Sequence, residues 1–145
     1  MRNMSLWGKL AAGGIFWLLV LAGPAVGQSL QDTLYVKSLI LTTDVVENEP
    51  VDTVQAFAVS VDRRAYCHAR IYNGLGEVTV TFQWLRNGQL FLNRPITITA
   101  SSSYRVYTSI EPAAGKWEVR ILGPDKRVIA RKRFSILAST VRSAG

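Results

Sequence analysis

The sequence has one cysteine, Cys67, and one histidine, His68, among its 145 residues. A single cysteine permits no disulfide within the chain, and one histidine leaves too few nitrogen and sulfur ligands for a zinc or copper site. Neighbouring residues on a strand point to opposite faces, so Cys67 and His68 cannot form a catalytic thiol–imidazole pair. We therefore expect a buried Cys67, a structural His68, and no metal or cofactor.

Motifs for covalent and phosphate chemistry are also missing. The sequence has no Gly-x-Ser-x-Gly elbow and no glycine loop that would hold a phosphate. Four of its ten acidic residues lie in one turn around Pro50, at Asp44, Glu47, Glu49 and Asp52. Their spacing does not fit the twelve-residue calcium loop. We expect a solvated loop in which Glu49 or Asp52 bonds the local backbone, and a protein that is not an enzyme.

Residues 1–27 have the three parts of an export signal. Arg2 and Lys9 give a basic start, residues 10–26 form an uncharged apolar run, and Ala25-Val26-Gly27 supplies small residues. The pattern predicts a signal peptide and export to the periplasm or the extracellular space. The alternative is a retained anchor, since the run has about the 17 residues that a short spanning helix needs. A proline near the end of the run favours cleavage.

Without this leader, the chain carries 15 basic and 10 acidic side chains, which is a net charge of +5. The remaining length, about 118 residues, is typical of one domain that can bury about two-thirds of its unfolded surface. Positive charge keeps a small protein soluble and favours anionic partners. We expect an envelope protein, a glycan or an anionic surface as the partner. Nucleic acid is not expected, and membrane contact is expected only through an uncleaved leader.

Residues 28–138 are predicted to form one β domain. Residues 78–84 alternate apolar and polar side chains, which is typical of a half-buried strand, and Asn87-Gly88 predicts a hairpin turn. The other predicted strands are residues 34–43, 54–61, 65–72, 89–98, 103–110, 116–121 and 127–136. About seven to eight short strands separated by turn residues predict an all-β, antiparallel, immunoglobulin-like β-sandwich. Residues 139–145 are expected to form a flexible tail.

Some positions refine the predicted strands. Trp84 and Trp117 share their faces with apolar residues only, which predicts core positions. Pro95 lacks a backbone donor, so its strand should lie at an edge or carry a bulge. Lys132 interrupts an apolar face and indicates an edge or a bulge there. On the strand of residues 89–98, the predicted inward face is Leu90, Leu92, Ile96 and Ile98. On the strand of residues 127–136, it is Val128, Ala130, Phe134 and Ile136.

The candidate binding residues are aromatic and basic side chains that alternate along two strands. Tyr66 and His68 begin one such row. The residues expected to contribute to a contact surface are Arg70, Tyr72, Arg105 and Tyr107. If the two strands are neighbours and this face is outward, the rings can stack on sugars and the guanidinium groups can bind carboxylates or phosphates. The alternative is that Tyr66 and Tyr72 bury their rings and expose only their hydroxyls.

Several short motifs, in their order along the chain, resemble those of a bacterial envelope family known as domain of unknown function 2914. They are Asn48-Glu49-Pro50-Val51-Asp52, Asn73 with Gly76, Trp84 with Asn87-Gly88, Tyr104-Arg105-Val106-Tyr107-Thr108-Ser109 and Gly115-Lys116-Trp117-Glu118-Val119. The resemblance implies an extracytoplasmic β domain and implies no activity. The chain departs from the family pattern near Phe82, where the family has a histidine. Tyr104 and Tyr107 replace its two tryptophans.

The sequence therefore predicts a non-catalytic binding module of the bacterial cell envelope. One alternative is a structural subunit that assembles by adding edge strands. Another is a hydrolytic enzyme acting on envelope material. An exposed aromatic patch would favour binding, an open apolar edge would favour assembly, and a deep pocket with convergent polar groups would favour an enzyme.

Overall fold

A computed structural model describes residues 33–139, which form ten β-strands and no helix. The strands are β1 Leu34–Thr42, β2 Val45–Val46, β3 Glu49–Pro50, β4 Ala56–Ala58, β5 Ala65–Asn73, β6 Val78–Arg86, β7 Gln89–Ile98, β8 Ser101–Ile110, β9 Gly115–Leu122 and β10 Val128–Leu137. The predicted leader, residues 1–27, lies outside the described residues, as do all but the first residue of the predicted tail, 139–145. Within the described range, no helix is long and apolar enough to cross a membrane.

The strands form two main sheets and one small hairpin. One sheet has the strand order β1-β5-β8, the other has the order β4-β10-β9-β6-β7, and β2 pairs with β3. Every ladder is antiparallel except the short pairing of β4 with β10. Side chains from the two main sheets form one core. The predicted antiparallel β-sandwich, with the two-sheet arrangement of immunoglobulin-like domains, is confirmed.

Alternation along β5 shows how the core is built. Ala65, Cys67, Ala69 and Ile71 are fully buried between the sheets, while the residues between them face the other side. Burial raises the pKa of the Cys67 thiol, which stays protonated. Trp84 and Trp117 are also buried, as predicted. Trp84 Nε1 donates to Thr108 Oγ1 over 2.8 Å, a hydrogen bond that joins the two sheets.

Two bulges correct the predicted inner faces. The β6–β7 ladder shifts register at Phe91, and Leu90, predicted to be inward, is 56% exposed. The β9–β10 ladder shifts at Ile129, which leaves Val128 37% exposed. One extra residue in a strand turns the side chains beyond it to the opposite face, and the period-two pattern alone cannot locate that residue.

The predicted edge positions are found in the structure. β7, which contains Pro95, is the outermost strand of its sheet. Lys132 lies in register with Val119, and β4 pairs only with Ser135–Leu137 further along β10. β10 therefore has a strand on only one side at Lys132. The predicted strand over residues 54–61 is shorter than expected, since only β4 forms there.

Candidate binding surface

The outer face of the three-stranded sheet brings the four predicted binding residues together. β5 lies in the centre of this sheet, between β1 and β8. Arg70 is the direct cross-strand partner of Arg105, and His68 is the partner of Tyr107. On the other side of β5, Tyr72 is the partner of Tyr35. The four candidates therefore lie on neighbouring strands and share one face, which we call the arginine face.

Glu49 bridges the two arginines of this face. Arg70 Nη2 donates to Glu49 Oε1 over 2.9 Å, and Arg105 Nη1 donates to the other carboxylate oxygen. Like charges directly opposed in a sheet repel each other, so the carboxylate offsets a repulsion that the register imposes. The hydrogen bond from Arg105, assisted by the charges of both arginines, lowers the pKa of Glu49 against the opposing effect of desolvation.

The hairpin formed by β2 and β3 carries Glu49 onto the arginine face and covers His68. The backbone oxygen of Asn48 lies 2.9 Å from His68 Nε2. A carbonyl oxygen only accepts hydrogen bonds, so Nε2 must carry the proton in this contact. His68 is 1% exposed although it lies on the outer side of the sheet. The expected structural histidine is therefore found, held beneath the hairpin.

Asp52 fixes the base of the hairpin. Its carboxylate accepts hydrogen bonds from the Thr43 amide, at 2.9 Å, and from the Thr42 and Thr43 hydroxyls, each at 2.7 Å. These bonds, led by the one from the Thr43 backbone, lower the pKa of Asp52. The expectation that an acidic side chain bonds the local backbone is correct for Asp52. Glu49 instead reaches arginines on two strands of the sheet.

The tip of the hairpin is a tight turn with an unusual residue choice. Glu47 has φ 53° and Asn48 has φ 66°, both in the left-handed region. Asparagine tolerates this conformation, whereas glutamate adopts it rarely and at some energetic cost. The turn therefore stores a small conformational strain beside the residues that contact the arginine face.

Tyrosine rings flank the arginines in two pairs. Tyr72 stacks on Tyr35 with ring centroids 5.0 Å apart and an angle of 14° between the ring planes. Tyr66 packs against Tyr107 at 6.0 Å in a tilted arrangement. Tyr35 and Tyr107 are exposed, at 51% and 41%, while Tyr66 and Tyr72 are half-buried. Both pairs therefore present ring surface to solvent, although the inner member of each pair is partly covered.

Further cations lie near this face. Lys37 Nζ on β1 donates to the Ser102 carbonyl on β8 over 3.1 Å, and Arg64 donates to the hydroxyl of Ser109. An open cleft of about 420 Å³ lies beside Tyr66 and is lined by Thr43, Asp44, Arg63, Arg64 and Tyr66. The cleft therefore sets two arginines, Arg63 and Arg64, beside one carboxylate, Asp44. Within residues 33–139, no three His, Cys, Asp or Glu side chains group closely enough to hold a metal ion.

The outer face of the other sheet carries a second carboxylate–arginine cluster. Glu118 on β9 bonds Arg120 at 3.0 Å and lies 3.6 Å from both Arg131 and Arg133 on β10. Burial raises the pKa of Glu118, but the Arg120 hydrogen bond and the three nearby charges outweigh burial and lower it. Arg131 and Arg133 therefore contribute to a charge network on this face.

Sequence reasoning missed the partner of the arginines. Glu49 is 21 residues from Arg70 and 56 residues from Arg105 along the chain, so no local spacing connects them. The direct opposition of the arginines is the signal that would have required a nearby anion. That signal appears only when the β5–β8 register is known.

Comparison with known proteins agrees with the fold and the family resemblance. The model of the family described as "Protein of unknown function (DUF2914)" matches residues 77–136, which include β6 to β9 and most of β10. No curated protein matches the sequence. An immunoglobulin-like protein from Pseudomonas aeruginosa is similar in structure, with a TM-score of 0.50 and 11% identity over 73% of this chain and 98% of that one. At this identity, the likeness shows the fold alone.

Two further solved structures match with lower TM-scores. The CARDB domain of a Pyrococcus furiosus protein, solved with di-metal ions, has a TM-score of 0.45 and 14% identity over 72% of this chain and 88% of that one. A Bifidobacterium adolescentis GH3 beta-glucosidase has a TM-score of 0.45 and 12% identity over 72% of this chain. The match covers 17% of the glucosidase.

Proposed function

We propose, on the premise that residues 77–136 belong to the DUF2914 family, that this protein is an exported, non-catalytic binding module of the bacterial cell envelope. The export signal pattern of residues 1–27 supports the location. An immunoglobulin-like sandwich, whose sheet faces and loops are available for contacts, is consistent with a binding role. The partner would be an envelope protein or a glycan with exposed anionic groups.

The observation that carries the proposal is the convergence of Arg70 and Arg105 on one carboxylate. Both guanidinium groups are partly exposed, with side-chain exposures of 43% and 44%. Arginine is well suited to binding carboxylates because its planar group presents several fixed donors. Exposed tyrosine rings on both sides add apolar contact area with little conformational freedom to lose.

A capture experiment with matched variants tests this function. The purified protein is incubated with an extract of its own cell envelope, and retained components are identified by mass spectrometry. We expect the wild type and Arg131→Gln/Arg133→Gln to retain the same partner, while Arg70→Gln/Arg105→Gln loses it. Both double variants remove two positive charges, but from opposite faces of the sandwich. Equal retention by the two variants would contradict a role for the arginine face.

The N-terminus of the exported protein tests the proposed location. Mass spectrometry of the protein recovered from the periplasm or the medium should give a chain that begins at Gln28. A chain that keeps residues 1–27 and fractionates with membranes would support the retained anchor. Recovery from the cytoplasm alone would contradict export.

A second candidate function is assembly through β7. This ten-residue strand is at the edge of its sheet, and Leu90 and Phe91 on it are 56% and 50% exposed. An exposed apolar edge favours the addition of a strand from another chain. Assembly predicts concentration-dependent oligomers in light scattering that Leu90→Lys abolishes. A monomer at all concentrations would exclude self-assembly through this edge.

A further inference from the structure

We propose that Glu49 occupies, from within the chain, a site for an acidic side chain on an extended peptide of a partner protein. The inference rests on the proposed function and specifies its ligand. In the bound state, the hairpin of β2 and β3 moves aside, and a partner glutamate or aspartate takes the place of Glu49 between Arg70 and Arg105.

The arginine pair is already arranged for a carboxylate. Each guanidinium donates to a different oxygen of Glu49, so one carboxylate bonds both groups. The register of β5 and β8 makes the two arginines cross-strand partners, so their backbone positions stay opposed when Glu49 leaves. Two opposed cations without a counterion repel each other, and an incoming anion relieves that repulsion.

His68 adds a requirement that a simple anion does not meet. Its Nε2 donates to the backbone oxygen of Asn48, the residue immediately before Glu49. If the hairpin moves aside, this buried donor loses its partner, which is unfavourable unless another acceptor replaces it. A peptide supplies both groups in the same order, a backbone carbonyl followed by an acidic side chain. The pattern therefore favours an acidic peptide over phosphate.

Above the base that Asp52 fixes, the hairpin has few internal contacts. Its ladder has only two residue pairs, Val45 with Pro50 and Val46 with Glu49. Val46 and Val51 are 53% and 52% exposed, so they bury little apolar surface. The left-handed conformation of Glu47 adds strain that weakens the turn itself. A partner that reproduces the ion pairs and the hydrogen bond to His68 would therefore meet modest resistance.

The test uses a peptide with the sequence of residues 45–51 and blocked ends, titrated into the purified full chain. Binding is followed by NMR signals of the Arg70 and Arg105 guanidinium groups and of the His68 ring. We expect weak binding to the wild type and a dissociation constant at least about tenfold lower for Glu49→Gln, which removes the competing charge. Glu49→Asp, which keeps the charge and retracts it by one methylene, should shift affinity in the same direction by less. If Glu49→Gln does not fold, the affinity of Glu49→Asp for the peptide tests the proposal instead.

Matched controls decide the outcome. Glu77→Gln removes the same charge at another exposed position and should bind as the wild type does. If the glutamate of the peptide is replaced by glutamine, Glu49→Gln should no longer bind the peptide more tightly than the wild type does. Equal affinity of Glu49→Gln and Glu77→Gln for the peptide would overturn the proposal.

Inorganic phosphate, added at matched ionic strength, separates a peptide site from a general anion site. It should perturb the arginine signals and leave the His68 ring signals unchanged. Equally tight binding of phosphate and peptide to Glu49→Gln would overturn the assignment to an acidic peptide. The capture experiment stands apart from this test. If Arg70 and Arg105 are needed for capture but Glu49→Gln does not bind the peptide more tightly, the proposed binding function is supported and the proposed role of Glu49 is wrong.

Discussion

The two outer faces of the sandwich carry similar clusters that are built differently. Glu118 lies on β9, within the sheet, and forms ion pairs with one arginine of β9 and two of β10. Glu49 stands on a two-pair hairpin and reaches arginines of a sheet to which it does not belong. The Glu118 side chain is 16% exposed, whereas that of Glu49 is 39% exposed.

This difference separates a structural cluster from a replaceable one. Opening the Glu118 cluster requires β9 and β10 to part, and these strands contain the buried Trp117 and Phe134. Opening the Glu49 cluster requires the small hairpin to lift above its base at Asp52, with loss of the hydrogen bond to His68. Similar charge chemistry therefore supports stability on one face and is available for binding on the other.

The largest expected effect on stability is from Glu118→Gln. Three guanidinium groups would lose their shared carboxylate at a mostly buried position, and the free energy of unfolding should fall by about 1–2 kcal/mol. Urea denaturation measures the change. Glu49→Gln is the matched control and should lower the urea midpoint by less. A larger fall in the urea midpoint for Glu49→Gln than for Glu118→Gln would contradict the distinction between the two clusters.

Acid should weaken the Glu118 cluster in a defined pH range. The pKa of Glu118 is lower in the folded chain than its ordinary value of 4.5. The folded state therefore gains stability above pH 4.5 and loses it as the pH falls through the lower folded value. Urea midpoints measured from neutral to acidic pH should fall, and Glu118→Gln should flatten part of that fall. An unchanged slope in the variant would show that Glu118 does not contribute.

A smaller effect is expected at the hairpin tip. Glycine adopts the left-handed region freely, so Glu47→Gly should stabilise the closed hairpin by about 0.5 kcal/mol. Slower hydrogen exchange of the Val51 amide, which bonds the Asp44 carbonyl at 3.1 Å, would report this change. Asn48→Gly should have less effect, because asparagine already tolerates the conformation. Faster exchange in Glu47→Gly would show that its φ is not strained.

The period-two pattern was sufficient to predict the sandwich, because a half-buried strand must alternate its side chains. It also placed Trp84 and Trp117 in the core. The Asn-Gly pair, rather than the alternation, located the turn at Asn87-Gly88, where both residues have positive φ. The alternation placed Arg70 with Tyr72, and Arg105 with Tyr107, each pair on one face of its own strand. These features depend only on residues close together in the sequence.

Features that depend on strand register could not be predicted in this way. The bulges at Phe91 and Ile129 each turned one predicted inward residue outward. The contact of Glu49 with the arginines joins segments far apart in the chain. Only the fold brings that carboxylate opposite the two cations, so the acidic turn was expected to be a solvated loop.

Native-state hydrogen exchange in low urea tests the independent opening of the hairpin most directly. The Nε2 proton of His68, which bonds the Asn48 carbonyl of the hairpin, reports the lifting. We expect it to exchange through an opening that urea hardly changes, because local opening exposes little surface, whereas exchange of the β9 amides should rise steeply with urea. The same dependence on urea for the His68 proton and the β9 amides would show that the hairpin opens only when the sandwich unfolds. That result would contradict the central claim.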